Sequence, residues 1–340
     1  MPILFSARGT LAVLLLAGPA AAADADDCAG NNPTVSIPAC TRIIAQTRAA
    51  SDQVAEAFAN RGKAHMLAGQ FDRAIADLDE ALRRKPAHSD ARHNRGVVHF
   101  QQGQNDKALA DFDEVVRRYP QEAESRFARG RTYHAMRQID RALADFDATL
   151  NIDARHVDAL ISRGAVFILR RQFQEAQKDL DAAIGIEPNN ADAYSNRGNL
   201  YVMAGRHQQA IADLDRAIKL DPNHELALLN RGMSYFSQQQ YDRAVSDFDR
   251  ALRLNPRSAH LFVQRGAAYF FKKQPDRALS DANQAIRLDP NSLQAYKLRG
   301  GILGGMGRRD QAIADFRKAL ELDPSDEDVK KNLRELGATP

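Results

Sequence analysis

The chain has 340 residues, 44% apolar and 27% charged, with no tryptophan and a formal net charge of +3. So near-neutral a balance offers no basic footprint for nucleic acid. No apolar run approaches the roughly 20 residues that span a bilayer. From the N-terminus, Arg8 begins a pattern of one positive charge, a short apolar run Leu11–Ala17 and small residues Ala20–Ala23 before Asp24. This reads as a secretory signal over residues 1–23, cleaved at or beside Ala23 and directing the protein to the periplasm or outside the cell. The residues before Cys28, Ala-Asp-Asp, are not a lipoprotein box.

Residues 24–54 hold the only two cysteines, Cys28 and Cys40. In an oxidising compartment, thiols twelve residues apart bridge and staple a small cap. A metal site there lacks further ligands, since no histidine precedes His65. Ile37, Cys40, Ile43 and Ile44 have helical spacing, so this segment predicts half a repeat, followed by an extended loop into the first full unit.

From Ala55 to Asp326 the sequence repeats. Arg-Gly pairs stand at Arg61-Gly62, Arg95-Gly96, Arg129-Gly130, Arg163-Gly164, Arg197-Gly198, Arg231-Gly232, Arg265-Gly266 and Arg299-Gly300, always 34 residues apart. With Ala55 as position 1, position 20 is Ala in every copy, from Ala74 to Ala312. Position 24 is Leu or Phe in all but one, and position 32 is Pro in all but one, Ala154 being the exception. Small residues at positions 8 and 20 predict two helices packed at close range, which offsets the helix-propensity cost of glycine, about 1 kcal/mol. The proline predicts the end of the second helix. An Asp recurs sixteen residues after each Arg, from Asp77 to Asp315. The spacing predicts a ladder of partly buried Arg–Asp pairs that fixes geometry more than it adds stability. Beyond the array, residues 327–340 predict a capping helix, N-capped by Ser325, with Val329, Leu333 and Leu336 on one face.

This 34-residue period, with Gly, Tyr, Ala, Phe and Pro at these offsets, closely resembles the tetratricopeptide repeat (TPR). The resemblance implies an all-α fold: an α-solenoid, wound as a right-handed superhelix, of eight helix-turn-helix units at 55–326 between the two caps. It also implies a concave face lined by first helices. At position 6, a groove position by that resemblance, the chain carries Asn60, Asn94, Ser162, Asn196, Asn230 and Gln264, interrupted by Ala128 and Leu298. Such amides both donate and accept, and suit the backbone of an extended peptide. Asn199, Leu229, Met233, Phe236 and Phe270 are the expected groove-lining neighbours, with Ile161, Ile168, Val263 and Phe271 divided between groove and core. Position 2 is acidic in early repeats, at Glu56, Asp90, Glu124, Asp158 and Asp192, where the helix dipole favours acids in any case. The Lys/Asn/Arg clamp of chaperone-tail receptors is absent; Lys297 stands at one clamp offset, but its partner position is Gly301.

Histidines are scattered singly. His65 and His99 replace core aromatics, whereas His93, His134 and His260 face the groove in separate repeats, too far apart to chelate one metal. No hydrolase, nucleotide-binding or metalloprotease motif occurs. The reading is therefore a non-enzymatic adaptor with no cofactor and no metal. It binds a protein or peptide segment in the cell envelope, and no nucleic acid. Two alternatives stand beside it: a self-associating structural solenoid, to which the glycines Gly300, Gly301, Gly304 and Gly305 of repeat eight could contribute, and an accessory subunit of an envelope enzyme complex.

Overall fold

The computed structural model describes residues 19–46 and 51–339. Residues 1–18 of the expected secretory segment lie outside them. The described residues form nineteen helices and no strand, an all-α solenoid. They divide into two units, one up to residue 154 and one from residue 155.

In the first unit, α1 (Pro19–Ala29) and α2 (Pro33–Ala45) precede three helix pairs. The pairs are α3 (Ser51–Leu67) with α4 (Phe71–Arg84), α5 (Ser89–Gln101) with α6 (Asn105–Arg118), and α7 (Ala123–Ala135) with α8 (Ile139–Ile152). The second unit has five pairs and a last helix. They are α9 (Val157–Leu169) with α10 (Phe173–Ile186), α11 (Ala191–Met203) with α12 (His207–Leu220), and α13 (Glu225–Ser237) with α14 (Tyr241–Leu254). After them come α15 (Ala259–Phe271) with α16 (Pro275–Leu288), α17 (Leu293–Gly305) with α18 (Arg309–Leu322), and α19 (Glu327–Glu335).

Local chemistry marks each boundary. Every first helix from α5 onward is N-capped by the residue before it: His88, Glu122, His156, Asn190, His224, Ser258 and Ser292 each accept from the backbone N–H three residues on. Asp326, not Ser325, caps α19, because the Ser325 hydroxyl is turned back to Asp323 Oδ1. Between the helices of a pair the chain passes through one left-handed residue, a glycine at Gly69, Gly103, Gly205 and Gly307, but Arg137, Arg171, Gln239 and Lys273 in the other repeats. Position 32 proline is not what stops the second helix. With Ala154 there, α8 ends at Ile152 with the same C-cap geometry as its neighbours. The expected loop into the first repeat is corrected in part. Residues 47–50 are not described, and Ser51–Val54 already belong to α3, which no turn proline interrupts.

Packing follows the small residues. All eight position-20 alanines are fully buried. A Cβ added at Gly62, Gly96, Gly130, Gly164, Gly198, Gly232 or Gly300 would come within 2.5–3.0 Å of the Leu or Phe at position 24 of its own repeat. Burying each such side chain contributes about 1.5–3 kcal/mol, so the glycine is what brings the second helix near enough to do it. Repeat seven departs from this: its position 24 is Ala282, and Leu298 of repeat eight reaches across to fill the space against Gly266. That accounts for the interruption of the amide series at Leu298. Within each unit, successive first helices contact one another, whereas second helices contact mainly the first helices beside them. The first-helix side is therefore the inner face of each unit.

Candidate functional site: the first-helix face

Each position-7 arginine grips its own repeat's aspartate through two hydrogen bonds. Nε and Nη2 of Arg61, Arg95, Arg129, Arg163, Arg197, Arg231, Arg265 and Arg299 donate to the two oxygens of the Asp sixteen residues on, at 2.6–2.9 Å. Those aspartates are only 3–8% exposed. The remaining guanidinium nitrogen, Nη1, reaches back to the preceding repeat at 2.6–2.8 Å. Arg95 and Arg129 meet Asp79 and Asp113, and Arg197, Arg231 and Arg265 meet Asp181, Asp215 and Asp249. Arg299 uses Asn283 in the same way. Seven of the eight guanidinium groups also lie 5.3–5.9 Å from an aromatic ring centre, as Arg265 does over Phe262 and Tyr269. Donating hydrogen bonds to the aspartates holds Arg95, Arg129, Arg197 and Arg265 further above the ordinary guanidinium range. One arginine thus ties three helices together, and the ladder is internal. The second aspartate series, at position 25, escaped the sequence reading, although its period of 34 is equally visible there.

Beside this consumed series, the position-6 amides are half-buried on the inner face. The side chains of Asn60, Asn94, Ser162, Asn230 and Gln264 make no hydrogen bond to the described residues, whereas Asn196 Nδ2 donates to Asp192 O of its own helix at 2.9 Å. Asn199, Leu229 and Met233 are likewise half-exposed. Phe236 and Phe270 belong to an aromatic cluster: Phe236 meets Tyr241 and Phe271 edge-on at 5.5 and 5.4 Å, and Phe270 lies 5.8 Å from Phe271. Phe271 itself is 50% exposed. Ile161 and Ile168 are buried and belong to the core. Lys297 is engaged by Asp326 at 2.6 Å.

The sequence placed His65 and His99 in the core, and both are buried, each bonded through Nδ1 to the Gln five residues on. His93 lies between repeats, its Nδ1 2.7 Å from Ser125 Oγ. Burial pushes the His93 imidazolium down from the ordinary histidine range, partly opposed by Glu122, Glu124 and Asp90. At the N-terminus, Cys28 and Cys40 are joined by a disulfide. Among the described residues no three His, Cys, Asp or Glu side chains come together as a metal site would require. No described helix is long and apolar enough to cross a membrane.

Comparison with known families matches the tetratricopeptide repeat at residues 59–123, 191–224, 226–258, 259–292 and 293–326, more than half of the chain. The chain belongs to the tetratricopeptide repeat family. Comparison with curated proteins returned no match. Among solved structures, this TPR chain is similar to the APC/C hetero-tetramer Cut9–Hcn1, with a TM-score of 0.68 and 18% identity over 88% of this chain. It spans 58% of the length of that larger chain. It is also similar to pilF of Pseudomonas aeruginosa, with a TM-score of 0.55 and 19% identity, covering 63% of this chain and 97% of that one. At such identities the likeness is one of fold. TPR proteins in general mediate protein–protein interaction, and their fold is typically a non-catalytic scaffold.

Proposed function

We propose that this TPR protein is an adaptor of the cell envelope, exported by the signal at residues 1–23, which holds an extended segment of another protein against its first helices. One observation carries the reading. On the first-helix side of each unit the arginines are spent on internal carboxylates, while five of the six position-6 side chains make no hydrogen bond to the described residues and stay half-exposed. An unspent row of donor–acceptor groups at a 34-residue period suits a peptide backbone, whose N–H and C=O groups recur whatever its sequence. Half-exposed Leu229 and Met233 beside the row supply an adaptable apolar surface.

Affinity capture from an envelope extract tests this, comparing the mature protein with an Asn94→Ala/Asn230→Ala variant. The wild type, recovered from the periplasm with its N-terminus at or beside Asp24, should retain a partner that the variant retains about tenfold less well. Equal retention of the same partners would rule out the amide row as the gripping surface.

A further inference from the structure

Repeat eight leaves open a place that its predecessors fill. A recess of about 390 Å³ lies between repeats seven and eight, lined from α16, α17 and α18 by Leu279, Asn283, Arg299, Leu303, Arg308 and Gln311. That volume falls within the range of small-molecule sites, roughly 300–1,000 Å³. Three of its residues depart from the repeat. Position 11 is a ring in the seven preceding units, from His65 to Tyr269, but Leu303 here. Position 16 is Gln in six of the eight units, but Arg308 here. Position 25 is Asp in repeats one to six, but Asn283 in repeat seven. All three departures meet in the one recess.

Each takes away or adds something definite. In repeats three, four, six and seven the position-7 arginine lies 5.8–5.9 Å from the centre of its position-11 ring. Arg265 thus has two rings, Phe262 and Tyr269, whereas Arg299 has Tyr296 at 5.7 Å and an aliphatic Leu303 at the second place. With Asp lost from position 25, Arg299 Nη1 donates to a neutral acceptor, Asn283 Oδ1, at 2.8 Å. That leaves Asn283 Nδ2 as a donor, and it bonds none of the described residues. The exposed Arg308 guanidinium likewise makes no hydrogen bond or ion pair with them. Against these two arginines the lining holds one carboxylate, Asp315, whose two oxygens Arg299 already occupies. Compared with an ordinary repeat, the place has lost a ring and an acid and gained a base. An anion is drawn to such a site, and the missing ring leaves apolar wall for it to cover.

We infer that this recess binds an aromatic carboxylate: a ring joined by a short chain to a carboxylate, as a C-terminal phenylalanine or a free aryl acid presents it. The ring stands in for the position-11 side chain, against Leu279 and Leu303 and within cation–π reach of Arg299. The carboxylate accepts from the Arg308 guanidinium and Asn283 Nδ2, in place of the acid that repeat seven lacks. Second helices α16 and α18 help to form this site, whereas the amide row stands on first helices alone. The site is therefore additional to the adaptor reading and independent of it.

Hydrocinnamate and its uncharged amide are titrated into the full mature chain, followed by NMR of the backbone amides. The acid should bind with a Kd on the order of a millimolar and about tenfold more tightly than the amide. Its binding should move the resonances of Leu303, Arg308 and Gln311. Three variants each restore the residue common to the other repeats, and an undiminished melting temperature checks that they fold. Asn283→Asp and Arg308→Gln should each weaken the acid about tenfold and leave the amide little changed. Leu303→Tyr should abolish binding of both by occupying the ring's place; should it lose its fold, Arg308→Gln at an exposed position carries the test. Acetyl-Gly-Ser-Gly-Phe with a free C-terminus distinguishes the sources: binding tighter than hydrocinnamate identifies a chain terminus, and otherwise a small acid is the ligand. No movement of those resonances at tens of millimolar hydrocinnamate overturns the inference. So does equal binding of acid and amide, or acid binding that Asn283→Asp and Arg308→Gln both leave unchanged.

Discussion

Asp247 and Asp249 stand two residues apart on α14, and both bond an arginine, yet they differ in what their removal would leave behind. Asp247 is 3% exposed and receives both Nε and Nη2 of Arg231. Asp249 is far more open and receives a single bond from Arg265 Nη1. Truncating the first strands a guanidinium that is itself mostly out of water, whereas truncating the second returns one nitrogen to solvent. Asp247→Ala should therefore cost about 3 kcal/mol and Asp249→Ala under about 1 kcal/mol, read as shifts in urea midpoint at constant slope. Equal losses would mean that the outer bond, not the buried pair, carries the coupling. The buried pairing was legible in the sequence because Asp follows Arg by sixteen residues in every repeat. Which repeat supplies the third contact was not, since positions 23 and 25 both carry Asp and only the packing shows that one turns inward and the other toward the next repeat.

At the scale of the helix, glycines with the same intrinsic cost divide by what surrounds them. Gly198 on α11 has no room, because a Cβ there would sit 2.5 Å from Leu214. Gly301 on α17 has nothing within 4 Å. Gly198→Ala should destabilise by about 1–3 kcal/mol through overpacking, while Gly301→Ala should stabilise by about 1 kcal/mol through helix propensity. Thermal denaturation of the two variants gives opposite shifts if internal packing alone decides. A loss of stability at Gly301→Ala would show that α17 is approached by something that the isolated chain already contains in solution, a second copy included. Helix positions and the Gly-to-position-24 contact were readable from the period. The departure at repeat seven was not: Ala282 leaves a gap that only the neighbouring helix, through Leu298, could be seen to fill.

Over the whole molecule, stacked repeats are stabilised mainly by their neighbours, so the ends are where cooperation is weakest. The first unit meets this with the α1–α2 cap. Cys28, Ala39, Cys40 and Ile43 pack with Ala57 of α3, Thr41 Oγ1 accepts from Arg61 Nη1 at 3.1 Å, and Arg42 Nε donates to Asp24 at 2.9 Å. Closing a loop of twelve residues removes up to about 3 kcal/mol of chain entropy from the undocked cap. Cys28→Ser/Cys40→Ser should accordingly speed amide exchange in α2 and the start of α3 by up to about a hundredfold, leaving α7 and α8 little changed. Equal acceleration in all of them would show the first unit opening as one cooperative block.

The sequence by itself determined the helix pairs, their period, the glycine–apolar contact and the arginine ladder, because each depends on residues at fixed separation within one repeated unit. Helix caps are equally local, but the one expected from the sequence, Ser325, gives way to Asp326. Only the tertiary structure decided that the position-6 side chains other than Asn196 make no hydrogen bond to the described residues and that Phe236 and Phe270 are tied into an aromatic cluster. It alone brought His93 of one repeat against Ser125 of the next. These are properties of juxtaposition between repeats: His93 and Ser125 are 32 residues apart in the chain and 2.7 Å apart in space. A repeat pattern states which helices neighbour one another, but the side-chain directions that turn neighbours into a site are set when the helices pack.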